Sequence, residues 1–421
     1  MDLKDKKRGA TSISKLFVEN YLYWTSVGLT SVAYSSFFVT ELFSGKNIPA
    51  ATKLYGICET FYFLSQLIGN PFFGEFSDYF GRKNTFLIIL GASSMNWFIL
   101  STARTSTIII ISRILHGFCD SNPQTISSYL SDLTKQDDFA KKMGILHGVG
   151  GIGMVSGLII AFFLSWFGFT NQHMFMVSSS VSFLNGLFVY LFLPESKEMT
   201  NSKTKFNWAR ANPVGSIKFI FKNKKFKSLI VILILDIIGG TCSVVLLQFY
   251  LQMKYHFSDT KIYVLLFEAS IFQIFSMAVL LKLSIKKRGN KQTLVDAFLA
   301  QALFNFLSIV LTDGWMFFLI VPLVYQFVAF SVIQSFFRTL VPKDDQGILF
   351  GSLQLTANFA NAISKYIYPV GFSYTSKRYH FPEAPFIFAT LSSILGFIIT
   401  SKIDEKDYFK RVRKKETLIS F

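Results

Sequence analysis

Apolar runs of about 20 residues recur along the whole chain, each long enough for a helix to cross a hydrocarbon core of roughly 30 Å. The pattern predicts twelve spans. Six lie at 20–43, 54–73, 84–103, 106–131, 143–166 and 173–193; six more lie at 228–251, 261–283, 292–311, 314–337, 348–372 and 384–402. Pro123, Pro322 and Pro369 interrupt three of them. The expected fold is an all-α membrane protein whose twelve transmembrane helices form two pseudo-symmetric halves, 1–193 and 228–421, joined by a basic loop at 194–227. Composition fits that reading: of 421 residues, 51% are hydrophobic and 16% charged, which is too apolar for a soluble protein.

The most sharply defined connection is Gly74-Glu75-Phe76-Ser77-Asp78-Tyr79-Phe80-Gly81-Arg82-Lys83. As a tight charged loop it makes spans two and three antiparallel neighbours. Arg82 and Lys83 mark its side as cytoplasmic, because basic residues accumulate on loops that stay inside. With the N-terminus on that side, and with Lys261, Lys282 and Lys402 at span ends counted in the adjoining segments, the inner segments hold 33 of the 42 Lys and Arg and the outer loops hold 7, while Arg113 and Lys365 fall within spans. Both termini are therefore expected in the cytoplasm, whether the membrane is the plasma membrane or that of an organelle. The asymmetry accounts for the net charge of +17 without a nucleic-acid partner. The first fifteen residues are polar and basic, so no cleaved signal is expected.

The halves repeat one another. Gly144-Ile-Leu-His-Gly148 opens span five and Gly347-Ile-Leu-Phe-Gly351 opens span eleven, preceded by Asp137-Asp138 and Asp344-Asp345. Glu59 and Glu268 stand 22 and 21 residues before Gly81 and Gly289. Gly289 belongs to Lys286-Lys287-Arg288-Gly289-Asn290-Lys291, an echo of 74–83 that has lost its Asp. In the central loop, Trp208 and 217–221 interleave with Lys218, Lys222, Lys224 and Lys225; this suits either an interfacial amphipathic segment or a solvated linker. Duplicated six-span halves are a transporter architecture, with the substrate site at the repeat interface.

Away from the ends of the spans, the Asp, Glu, Lys and Arg residues are Glu59, Arg113, Asp120, Asp236, Glu268 and Lys365, and charges at depth are costly enough to count as functional candidates. Arg113, His116 or Gly117, and Asp120 are spaced to share one face of span four. Asp236 lies nine residues into span seven, roughly 13 Å deep at 1.5 Å per residue. Cys58, Cys119 and Cys242 fall in apolar runs and offer neither a disulfide framework nor a metal spacing. The five histidines lack ligand spacing, and no nucleophile–base motif appears. No enzyme activity, metal or bound cofactor is expected.

The motifs resemble those of the major facilitator superfamily over essentially the whole chain. Gly74, Asp78, Gly81, Arg82 and Lys83 match that family's signature between spans two and three. Arg113-Ile-Leu-His116-Gly117 is similar to the Arg-x-x-Gln-Gly pattern of the drug–proton antiporter branch, to which tetracycline-resistance proteins belong. Leu193-Pro194-Glu195-Ser196 and Gln346-Gly347 also look like that branch. Span five departs from it: Gly153-Met-Val-Ser-Gly157 is followed by Leu158, and Ile160 and Ala161 replace terminal glycines.

The resemblance implies that Asp78 meets the N-terminus of span eleven near Gly347 when the cytoplasmic side is closed, where an anion favours the helix dipole. It also implies that Arg82 pairs with Asp132. Spans one, four, seven and ten would line a central cavity, bringing Arg113, Asp120 and Asp236 towards it, with Tyr23, Tyr34, Ser35, Tyr325, Gln326 and Gln334 as further lining candidates. Glu59 and Lys365 would form an outer gate. The expected function is secondary active transport of a small organic solute or ion by alternating access, with the proton as coupling ion; Asp236 is the first carrier candidate, then Asp120, then Glu268. The alternatives are an uncoupled facilitator and a non-transporting sensor or scaffold. Expected partners are the solute and membrane lipids, and the chain is expected to be a monomer.

Overall fold

The computed structural model describes residues 3–134, 136–196, 206, 226–339 and 346–402. Among these, all regular structure is helical, and twelve spans can be traced. The first is Leu3–Phe37 with a π turn at Phe38–Leu42, the second Ile48–Phe80 and the third Arg82–Thr102. The fourth is in two pieces, Ser106–Cys119 and Asn122–Leu133; the fifth is Gln136–Trp166 and the sixth Asn171–Phe192. The seventh is Lys227–Tyr255. The eighth runs from Asp259 through a π turn at Ser276–Leu280, and the ninth ends at Val310 after a break at Gly289. Span ten combines Met316–Leu319, a 3-10 segment Val321–Phe327 and Val328–Thr339, followed by Gln346–Tyr379 and Ala384–Ser401.

Six helices among the described residues are long and apolar enough to cross a membrane. Large apolar side chains such as Phe183, 65% exposed, and Leu391, 59% exposed, point outward, where lipid replaces water. Pro123 and Pro322 fall in the first turn of a helical segment, where proline's missing N–H costs nothing. Pro369 lies inside a continuous helix.

The stretch 74–83 is not a loop. The second helix continues to Phe80, and only Gly81, at φ 99°, leaves helical geometry before the third begins. Charged residues do not end a helix once it has left the bilayer. A positive φ does, and glycine adopts it without the clash a Cβ would bring. Gly289 makes the same reversal at φ 83°. Thr85 Oγ1 donates to the Gly81 carbonyl at 2.9 Å, and Thr293 Oγ1 donates to the Gly289 carbonyl at 2.7 Å. The sequence repeat is therefore a repeat of backbone conformation.

The chain divides into two compact units, Met1–Pro213 with His256–Ser270, and Val214–Tyr255 with Ile271–Phe421. The start of span eight thus groups with the first unit, not with the residues from 228 onward. Ser36 donates to Asp259 at 2.5 Å, and the Tyr263 hydroxyl donates to Met174 Sδ at 3.0 Å. The first unit's core includes Leu16, Phe86, Leu90, Tyr129 and Val189; the second's includes Leu229, Leu233, Phe298, Val328 and Phe337. Trp208 and the basic stretch around it lie outside the described residues.

Candidate functional site

Spans two and four touch backbone to backbone in the first unit. A Cβ on Gly117 would stand 2.3 Å from the Tyr62 carbonyl oxygen, so the approach requires glycine. It sets the Glu59–Tyr62 face of span two against Arg113 and His116. Arg113 Nη2 bonds Glu59 Oε1 at 2.5 Å, and both side chains are 6% exposed. Arg113 Nη1 lies 3.3 Å from His116 Nδ1. The guanidinium lies 4.2 Å from the centroid of Tyr62 and 4.8 Å from that of Tyr34, contacts worth about 2 kcal/mol or more each when desolvated. Trp97 closes the cluster, edge-on to His116 at 5.9 Å.

Asp120 does not share a helical face with Arg113. The helix ends at Cys119, and Asp120 is its C-cap at φ −79°, ψ 80°. The break before Pro123 ends the helical register, so the seven-residue spacing no longer brings the two side chains together. Asp120 instead accepts from two phenols, Tyr23 at 2.9 Å and Tyr62, while Gln66 donates to its carbonyl at 3.0 Å. Tyr62 therefore links the two charged groups: its face covers Arg113 and its hydroxyl reaches Asp120. Two buried polar atoms here, Arg113 Nε and the Tyr34 hydroxyl, have no hydrogen-bond partner among the described residues.

Sequence reasoning reserved Glu59 for Lys365. Inside its own unit Glu59 is held by Arg113. Lys365 is half-buried in span eleven and belongs to the second unit. Asp236 is buried in span seven, and Gln301 donates to its backbone carbonyl at 3.0 Å. Glu268 is half-buried and groups with the first unit. Tyr325, a cavity candidate, donates instead to Ser284 of span eight at 3.0 Å.

At the Gly81 turn, Arg82 is 7% exposed and bonds Asp78 at 2.6 Å, Asp132 at 3.1 Å and Ser77. Asp132 also accepts from Ser196 at 2.9 Å. Gly74 is exposed on the second helix, and the Lys83 ammonium lies 5.7 Å from the Tyr190 ring. Gly347 falls in the first turn of span eleven, in the other unit.

Three contributors were given no structural role in the sequence reading. Tyr62 stands one turn after Glu59, a spacing that could have flagged it. Glu195 accepts from the backbone N–H groups of Arg82 and Lys83 at 2.9 and 3.0 Å. It places an anion where the third helix leaves its first donors unpaired. Glu19, one turn before Tyr23, is fully buried; it preceded the predicted start of span one by one residue.

The sequence profile of the Major Facilitator Superfamily matches residues 20–365. The class C tetracycline resistance protein of Escherichia coli is 26% identical over 301 residues, covering 71% of this chain and 75% of that protein. Multidrug resistance protein 2 of Bacillus subtilis (strain 168) is 22% identical over 405 residues and 94% of both chains. The fold is similar to the crystal structure of a D-xylose-proton symporter, with a TM-score of 0.72, 15% identity and coverage of 95% of this chain and 98% of that one. It is also similar to the human organic anion transporter MFSD10, with a TM-score of 0.68, 14% identity and coverage of 93% and 99%. A profile match across most of the chain and a twelve-span helical fold agree, and the chain belongs to the Major Facilitator Superfamily of membrane transporters.

Proposed function

We propose that this transporter moves a small organic solute or organic ion by alternating access and couples that movement to protons. The observation that carries the reading is the buried Glu59–Arg113–Tyr62–Asp120 set. Two carboxylates there accompany one guanidinium, so a single proton neutralises the set, and an unneutralised charge at this depth is costly. A substrate acceptor that engages Arg113 Nε competes with Glu59 for the guanidinium. The carboxylate released from Arg113 then takes up a proton, and the reverse exchange frees the substrate on the other side. The names of the relatives, tetracycline and multidrug resistance proteins, favour an organic compound as cargo.

Asp236 is the corresponding carrier candidate in the second unit, with Glu268 behind it. In the same reading both termini are cytoplasmic.

The test is uptake and efflux in proteoliposomes across a panel of organic cations, anions and neutral solutes at several pH values. A solute that accumulates only under a pH gradient supports the reading. Movement indifferent to pH for every solute favours an uncoupled facilitator, and no movement of any solute favours a sensor or scaffold. Asp236→Asn is expected to retain exchange and lose gradient-driven accumulation; if it still concentrates solute normally, Asp236 is not a carrier.

A further inference from the structure

The turn at Gly289 repeats the backbone of the turn at Gly81, but a Lys stands where the first turn has its Asp, and Asn290 stands where it has Arg82. Lys286 occupies the place of Asp78 relative to the glycine, and Lys287 and Arg288 occupy the places of Tyr79 and Phe80. In the first unit, Arg82 is buried among Asp78, Asp132 and Ser77. In the second, the Arg288 side chain is 62% exposed and its carboxylate partner is Asp296, at 2.7 Å. Gln292 also donates to Asp296, at 3.2 Å. Lys286, Lys287 and Lys291 add three further positive charges within a few residues, so this turn is left with an excess of positive charge.

A cavity of about 290 Å³ opens beside the turn, lined by Leu280, Leu283, Ser284, Lys287, Arg288, Asp296 and Tyr325. Leu280, Leu283, Ser284 and Lys287 follow the i, i+3, i+4, i+7 spacing of one helical face. That face begins where the π turn Ser276–Leu280 ends. It descends from the charged tip to Leu280 over roughly 10 Å, at 1.5 Å per residue. Leu283 is 46% exposed and Leu280 half-buried, so the apolar wall stays open on its outer side. Tyr325, bonded to Ser284 at 3.0 Å, forms the far wall; an aromatic ring with a polar tip suits the headgroup level.

We propose that this cavity is a binding site for an anionic phospholipid, with the phosphate against Lys287 and Arg288 and the glycerol and upper acyl chain along Leu280 and Leu283. Basic pockets between transmembrane helices bind acidic headgroups by this chemistry. The positive excess and the graded polar-to-apolar wall together favour a lipid over a soluble anion, which would use only the tip. Asp296 opposes the phosphate and sets a ceiling on affinity.

The experiment titrates the purified full-length protein in detergent with short-chain phosphatidylglycerol, phosphatidylcholine and soluble glycerol phosphate. Binding is read by the thermal unfolding midpoint and by lipid adducts in native mass spectrometry. Phosphatidylglycerol is expected to bind in preference to phosphatidylcholine. Lys287→Gln with Arg288→Gln should weaken it about thirtyfold, at about 1 kcal/mol for each basic residue near the surface. Asp296→Asn should strengthen it, which tests the site even if the double variant folds poorly. Equal binding of the two lipids, or unchanged phosphatidylglycerol affinity in these variants, overturns the proposal. Full competition by glycerol phosphate also overturns it, in favour of a soluble phosphate ligand.

Discussion

Arg113 and Glu59 meet at 2.5 Å inside the first unit, and neither side chain is more than 6% exposed. Removing one partner from such a pair leaves an uncompensated charge and costs about 3–5 kcal/mol, whereas replacing both is far milder. Glu59→Gln and Arg113→Gln should each lower the thermal midpoint strongly, and the double variant should recover most of the loss. Additive losses in the double-mutant cycle would show that the two groups do not depend on each other.

Tyr62 offers a way to separate packing from chemistry. Tyr62→Phe keeps the ring over Arg113 but removes the hydroxyl that reaches Asp120. Stability should fall by only about 1 kcal/mol, the usual net value of one hydrogen bond, while the pH profile of transport shifts. Tyr62→Ala should damage both. A Tyr62→Phe protein with an unaltered pH profile would remove the phenol from the proton path.

The third helix depends on a carboxylate far away in sequence. Glu195→Ala deprives the Arg82 and Lys83 N–H groups of their acceptor and should cost about 1 kcal/mol, as loss of a helix cap does. Glu195→Asp should be intermediate. An unchanged midpoint in the alanine variant would mean that water replaces the carboxylate at no cost.

Much of this was legible in the sequence, and what was hidden is hidden for physical reasons. Apolar runs of span length gave the twelve helices, because no other signal competes with them. The echo of Gly81 in Gly289 was visible because a positive φ calls for glycine in both places. The end of the second helix was misplaced, since charge reports where a chain leaves lipid and not where a helix stops. Arg113 was assigned a neighbour on its own span, but helical spacing says nothing about partners across an interface. The Gly117 contact decides that, and it presents Glu59 to Arg113. Asp120 left the expected face because the helix breaks before Pro123.

Orientation can be checked without a substrate. Epitope tags at positions 1, 205 and 421 should be protected in intact cells if the protein is in the plasma membrane. In an organelle they should become accessible after selective plasma-membrane permeabilisation. A tag at position 170, between spans five and six, should behave oppositely. A tag at 170 matching the other three would contradict the positive-inside orientation.

The most direct measurement of proton coupling records solute-evoked proton movement in proteoliposomes containing a trapped pH-sensitive dye. With a transported solute, the wild-type protein should change the internal pH on addition of that solute, and a protonophore should abolish accumulation. Glu59→Gln, assayed below its lowered thermal midpoint, should still exchange solute but evoke a much smaller pH change, because Glu59 is the carboxylate that Arg113 releases. Solute accumulation with no pH change, insensitive to the protonophore, would contradict proton coupling through the Glu59–Arg113–Asp120 set.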